Sequence, residues 1–412
     1  MYPRFTSDQL RTAVSDRPVV LLHGARQTGK STLVKTMAKE TGAEYLTLDD
    51  VSVLTAAKDD PSGFLASHSG SLVLDEVQHA PELFVAIKVD VDRNRRPGRF
   101  VLTGSANVLL LPRLSDSLAG RMEILTLWPL SQGEIDARRE GFIDRLFSDE
   151  LPPRPTQTPS PQMPTLDRAM RGGFPEVVEM DAARRYAWFQ SYLMTILQRD
   201  VRDMANIESL TAVPKLLSLL ATRIGSPANY SEIGRDLGMP QTTLRRYMGL
   251  LQATFLVQIA PAWFTNRGKR LAKSPKLYLV DSGLAGSLMG FDAGTAPPPV
   301  MSGPLIENFI VMELRKQLGW CRTRAEMFHF RTQTEEVDIV LEAVGGRRIV
   351  GIEVKAGRTL STSDFKGLRA LAEMAGSAFH RGVVLYEGDE MIPFGHGMFA
   401  MPIRSLWQEQ RF

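Results

Sequence analysis

The stretch VVLLHGARQTGKST, residues 19 to 32, constrains the fold of this chain more than any other. An apolar run is followed by G-x-x-x-x-G-K-S from Gly24 to Ser31, and a helical pattern begins at once after it. A buried strand, a glycine loop and a helix start in that order imply a parallel α/β layer rather than an all-helical or all-β domain. Gly24 and Gly29 permit backbone conformations in which the N–H groups across Ala25, Arg26, Gln27 and Thr28 turn toward an anion. The helix start adds the positive end of its dipole. The segment therefore reads as a phosphate cradle: Lys30 reaches β and γ phosphates, Ser31 ligates Mg²⁺ and Thr32 supports the α phosphate. His23 has no part in that motif and is expected to be a packed side chain.

Further short apolar runs, AEYLTLDD, SLVLDE, RFVLTGS and EILTLWPL, alternate with helical patterns. Residues 1–148 are therefore expected to form an α/β domain with a mainly parallel sheet covered on both faces. SLVLDEVQ delivers Asp75 and Glu76 to the C-terminal end of a strand, where open α/β sheets bind their ligands. Asp75 suits Mg²⁺ held through its water shell, and Glu76 suits polarisation of an attacking water. Adjacent carboxylates can also cap a helix. Beside a phosphate loop, ATP hydrolysis is the expected use.

These residues resemble the AAA+ superfamily of P-loop ATPases. The resemblance implies a polar sensor at the end of the next strand, where RFVLTGSAN offers Ser105, with Asn107 second. It also implies an arginine finger before the fifth strand, acting on a neighbouring subunit's ATP. Arg121 in SLAGRMEIL has that position and carries the expectation of a homo-oligomer; its alternative is a surface ion pair. No second sensor arginine stands out.

Repeated proline makes residues 149–165 a loop, followed by a helical region over 166–223. Residues 224–293 read as a winged helix. Ser231 is expected to cap a first helix, Gly238 and Pro240 make the turn, and a second helix buries Leu244, Tyr247, Met248 and Leu251. Two strands follow, joined by a basic loop. Arg245 and Arg246 on the second helix, with Arg267, Lys269, Arg270 and Lys273 in the loop, are the candidate nucleic-acid contacts, DNA favoured. Winged helices in ATPases also serve as lids or protein contacts.

In EVDIV and IEVK, strand alternation puts Val337 and Ile339 on a core face with Asp338 opposite, and Glu353 with Lys355 opposite Ile352 and Val354. A hairpin bend at AVGGRR can bring Asp338 beside Glu353. Upstream, an amphipathic helix carries Glu307. This pattern over residues 301–412 resembles the PD-(D/E)XK, or restriction-endonuclease-like, superfamily, an α/β fold. It implies Mg²⁺, or Mn²⁺, on Asp338, Glu353 and Glu307, with Lys355 orienting water or stabilising phosphate charge. Here Val337 stands where the superfamily's first motif often has proline. With GGFP, KLYLVDSG and IENFIVMEL, the chain resembles a prokaryotic group of AAA-type ATPases with a C-terminal region of nuclease-like fold and uncharacterised function.

A net charge of +3 is too mild to identify a nucleic-acid partner; local clusters carry that argument. Cys321 is the one cysteine, which excludes an intrachain disulfide and a cysteine-built zinc site. No apolar run approaches a membrane span, and MYPRFTSDQL lacks a signal-like core, so a cytoplasmic chain is expected. The expected function is a DNA-associated ATP hydrolase with a metal-dependent nuclease-like domain. The rival is a nucleotide-controlled regulator or scaffold whose nuclease fold only binds.

Overall fold

The computed structural model describes residues 1–105, 118–150, 163–198, 212–266, 268, 270, 273–291, 296–346 and 348–407. Asn107, Arg267, Lys269 and most of the proline-rich loop lie outside the described residues. Among the described residues, no helix is long and apolar enough to cross a membrane. The chain divides into two compact units. One is built on Met1–Leu130, with short returns that include Arg246–Leu256; the other holds most of the remainder.

The first unit contains a five-stranded parallel sheet of β1 (Val19–His23), β2 (Glu44–Thr47), β3 (Leu72–Asp75), β4 (Phe100–Gly104) and β5 (Met122–Thr126), in the order β2-β3-β4-β1-β5. β1, β3 and β4 are buried along their whole length, as apolar runs without alternation require in a sheet covered on both faces. One face carries Val19, Leu21, Leu74, Leu102 and Ile87; the other carries Val20, Leu22, Val73, Val101 and Met37. Because β4 runs between β1 and β3, its C-terminal end lies between the loop that follows β1 and the carboxylates that follow β3.

The second unit contains a helix–turn–helix of Tyr230–Leu237 and the start of Gln241–Ala253, with Gly238 in the left-handed region at the turn. Asn229, not Ser231, caps the first helix, its side chain accepting from the Glu232 N–H; Ser231 instead accepts from the Gln241 amide at 2.5 Å. Leu244, Tyr247, Met248 and Leu251 are buried, while Arg245 and Arg246 are exposed. β6 (Val257–Ala260) and β7 (Lys276–Leu279) pair antiparallel. The helix Pro299–Gln317 leads to a mixed six-stranded sheet of β8 (Ala325–Arg331), β9 (Glu336–Ala343), β10 (Ile349–Lys355), β11 (Phe379–Tyr386), β12 (Ile392–Pro393) and β13 (Met398–Pro402), ordered β12-β13-β11-β10-β9-β8.

That helix fixes β7 through Asn308. This fully buried amide donates to Leu279 O at 3.1 Å and accepts from Leu279 N–H at 2.8 Å, replacing a missing ladder neighbour. Asn308→Leu leaves both backbone groups unpaired in the interior. It is expected to cost about 2–4 kcal/mol, read as a lower denaturant midpoint; an unchanged midpoint contradicts this role.

Candidate functional site

The loop after β1 has the backbone that its glycines suggested. Gly24 has φ +154°, and a Cβ there would lie 2.2 Å from Leu127 O; Gly29 has φ +93° and begins the helix Lys30–Thr41. Lys30 is buried, its ammonium donating to Gly24 O at 3.0 Å and Ala25 O at 2.8 Å, so its charge is held inside the curl of the loop. Thr28 Oγ1 donates to Ala25 O at 3.0 Å. Arg4, from the first helix Thr6–Asp16's leading turn, donates to Thr28 O and to Trp128 O at 2.6 Å, bracing the loop from outside. Gly24→Ala is expected to lower the thermal midpoint and weaken nucleotide binding, the clash being with backbone at a cost of about 1–3 kcal/mol. A variant matching wild type in both measurements would remove the close-approach argument.

The carboxylates after β3 are positioned by residues that the motifs do not contain. Asp75 Oδ2 accepts from the Tyr45 hydroxyl at 2.6 Å, and Oδ1 accepts from Thr103 Oγ1 on β4. Burial, then the Asp75 hydrogen bond, raises the Tyr45 phenol above its ordinary range, so it remains a donor. Thr103 also accepts the Glu76 N–H at 3.0 Å. Glu76 has φ +60°, an uncommon backbone for a side-chain-bearing residue, which turns its carboxylate out of the strand line. Gln78 links the Glu76 carboxylate to Ser105 Oγ, the latter at 3.0 Å. Ser105 is thus joined to Glu76 through one amide. Ser31 and Thr32 begin the helix behind the loop. The cradle, Lys30, Ser31 and Asp75 fit a nucleotide with Mg²⁺.

His23 is buried, bonded to Thr126 at 2.8 Å and edge-on to Phe255 at 5.1 Å. Burial, then Lys30, pushes its pKa down to about 4, which keeps it neutral. Arg121 makes a two-pronged ion pair with Asp92, 2.6 and 3.0 Å. It precedes β5, and Thr126 at the other end of that strand is in register with His23 at the loop, so Arg121 lies at the end of its own sheet opposite the loop.

In the second unit, Asp338 and Glu353 come together. Pairing of β9 and β10 ends at Ile339 with Ile352; beyond it Asp338 Oδ2 accepts the Val354 N–H at 2.9 Å, and Glu353 Oε2 lies 3.4 Å from Asp338 N. Lys355 Nζ donates to Glu353 Oε1 at 3.0 Å. The expected shared face of Val337 and Ile339 does not hold: between the pairs Phe328–Val340 and Phe330–Val337, β9 carries one residue more than β8, a bulge at Asp338 and Ile339 that breaks the alternation, and the two enter different cores. Glu307 from the helix Pro299–Gln317 also reaches the cluster, accepting from the Tyr278 hydroxyl at 2.7 Å.

Burial, then the neighbouring Asp338 charge, raises Glu307 to about 7 and Glu353 to about 8. Unfolded, both glutamates release their protons near pH 4.5. Between that pH and 7–8 the folded chain binds more protons, so these groups make stability fall as pH rises through the window. Glu353→Gln is expected to flatten the decline in thermal midpoint between pH 6 and 8.5; an unaltered slope contradicts the assignment.

The metal reading does not fit these residues as they stand. Lys276 Nζ, from β7, lies 2.9 Å from Asp338 Oδ1, 3.0 Å from Glu307 Oε1 and 2.6 Å from Glu336 Oε1, so an ammonium occupies the oxygens a cation would need. Among the described residues, no three His, Cys, Asp or Glu side chains are grouped to hold a metal ion. Arg270 is likewise committed elsewhere than to phosphate: it pairs with Glu342 in a largely buried fork, donates to Phe264 O at 2.6 Å and lies over the rings of Phe328 and Trp263. Arg245 lies over Tyr230 at 4.9 Å, and Lys273 is exposed near Phe264.

Comparison with known proteins gives three successive family matches: an AAA domain at residues 16–136, a domain of unknown function (DUF8612) at 165–295, and a second (DUF4143) at 302–406. The first unit is thus a P-loop ATPase domain. Uncharacterized proteins Rv2008c of Mycobacterium tuberculosis and Mb2031c of Mycobacterium bovis are each 31% identical over 409 residues, 98% of this chain and 84% of theirs. Among solved structures, a Walker-type ATPase of Pyrococcus abyssi aligns at a TM-score of 0.39 and 15% identity, over 70% of this chain and 96% of that one. The chain belongs to the family of these two mycobacterial proteins, with an AAA domain followed by the DUF8612 and DUF4143 regions.

Proposed function

We propose that this protein hydrolyses ATP and couples the hydrolysis to nucleic acid, with a restriction-endonuclease-like C-terminal domain. The observation that carries the ATPase reading is the Tyr45–Asp75–Thr103 network, which holds Asp75 and Glu76 at the end of β3 while Lys30 lies in the adjoining glycine loop. Lys30, Ser31, Thr32 and the loop backbone would bind the nucleotide phosphates, with Ser31 and Asp75 holding Mg²⁺. The metal would neutralise phosphate charge. Glu76 orients and deprotonates water, and the amide of Gln78 with Ser105 fixes where that carboxylate points. Arg121, at the end of its own sheet opposite the loop, suits service to a neighbouring copy's nucleotide once it leaves Asp92.

The nucleic-acid part rests on the helix–turn–helix with its antiparallel strand pair, read as a winged helix, and on exposed Arg245, Arg246 and Lys273. The test is phosphate release from Mg²⁺-ATP by the full chain with and without single- and double-stranded DNA, beside Arg245→Ala/Arg246→Ala. DNA stimulation weakened in that variant supports coupling. Hydrolysis indifferent to DNA, with no DNA retention, leaves an ATPase and removes the coupling. The rival regulator with a non-cutting nuclease fold is favoured by one observation, the ammonium of Lys276 among the carboxylates.

A further inference from the structure

β7 is a buried strand with one charged residue. Lys276 is 1% exposed, yet its ammonium meets Glu307, Glu336 and Asp338 at 2.6–3.0 Å. An ammonium has three N–H donors, and here each finds a carboxylate. Such complete pairing is what allows a lysine to stay charged in an interior. Despite burial, the surrounding charges of Asp338 and Glu307 hold the Lys276 pKa well above its ordinary value.

The strand itself is built to deliver this group. Tyr278, two residues along and so on the same face, donates to the same Glu307 oxygen as Lys276. Asn308, one residue after Glu307, holds the Leu279 backbone, and Gly225 N–H donates to Leu277 O at 2.8 Å. Lys355 does not compete for this position, since its ammonium is on Glu353.

We propose that Lys276 takes the place of the divalent cation in the nuclease-like centre. The ammonium and a metal ion compete for Asp338 Oδ1 and Glu307 Oε1, and the folded wild-type centre is a metal-free latch fastening β7 to the C-terminal sheet. The kinship rests on the nuclease-like reading above; the competition rests on the contacts alone. Removing the ammonium leaves the carboxyl groups of Asp338, Glu307 and Glu336 without their shared cation, a charge that a hard divalent ion can supply once the side chains close on it.

The experiment is a Mn²⁺ titration of the nucleotide-free full chain, with free Mn²⁺ read by electron paramagnetic resonance. Wild type and Lys276→Arg are expected to show no Mn²⁺ site that depends on Asp338. Lys276→Met is expected to bind Mn²⁺ at least about tenfold more tightly, a gain removed by adding Asp338→Asn. Wild-type binding abolished by Asp338→Asn alone overturns the proposal, whether or not Lys276→Met folds. A folded Lys276→Met without gained binding overturns it too. DNA cleavage by wild type with Mn²⁺, lost in Asp338→Asn, would contradict the latch while supporting the nuclease-like reading. Failure of the ATPase reading would appear in phosphate release and leave this titration unaffected.

Discussion

Lys30→Met is expected to lose ATP turnover by on the order of 10²–10³-fold, together with much of its nucleotide affinity. Methionine keeps most of the buried stem and removes the charge, so the thermal midpoint separates lost chemistry from lost folding. The size follows from where the group sits. Lys30 is buried in the curl of the glycine loop, and its ammonium is held by carbonyl oxygens of Gly24 and Ala25. A cation at that point acts on phosphate charge in a site with little competing water. Turnover within about threefold of wild type would mean that the loop is not the phosphate site.

Glu76→Gln is expected to act differently, retaining ATP binding while reducing hydrolysis by about 10²–10⁴-fold. The substitution keeps the side chain's length and one oxygen for the Gln78 amide, but removes the base. The left-handed backbone at Glu76 and its N–H bond to Thr103 are unchanged by it. Nucleotide affinity by equilibrium binding and phosphate release under single-turnover conditions give the two numbers. Loss of affinity equal to the loss of rate would make Glu76 a binding residue instead of a base. Comparing the two variants divides the site into a part that holds phosphate and a part that activates water.

The glycine loop was legible because its parts are contiguous: strand, glycine turn, Lys30 and helix start follow one another within 14 residues, 19 to 32. Asp75 and Glu76 were legible for a similar reason, ending one apolar run. Tyr45, Thr103 and Gln78 were not. Their partners are set by the strand order, in which β4 separates β1 from β3, and sequence order does not state which strands are neighbours. Asp338 and Glu353 could be paired from a short hairpin. The displaced alternation at Val337 could not, because the extra residue in β9 shows only in its register against β8, which sequence order does not state.

Long-range charge pairing hid the rest. In sequence, Arg270 reads as part of a basic loop open to solvent, and Lys276 has no assigned role. Their carboxylates lie 72 residues away at Glu342, and 31 and 62 residues away at Glu307 and Asp338. The available signal was the alternation in KLYL, which places Lys276 and Tyr278 on one face of an otherwise apolar strand. A lone lysine in such a strand needs anions facing it, and they come from EVDIV, with Glu336 and Asp338, and from IENF, with Glu307.

The central claim is that this fold hydrolyses ATP at Lys30, Asp75 and Glu76. Phosphate release by the wild-type full chain in Mg²⁺-ATP, run beside Glu76→Gln at equal nucleotide occupancy, tests it most directly. Release by wild type that falls to background in the variant is the expected result. Wild-type release no greater than that of Glu76→Gln, with nucleotide bound to both, would contradict the account.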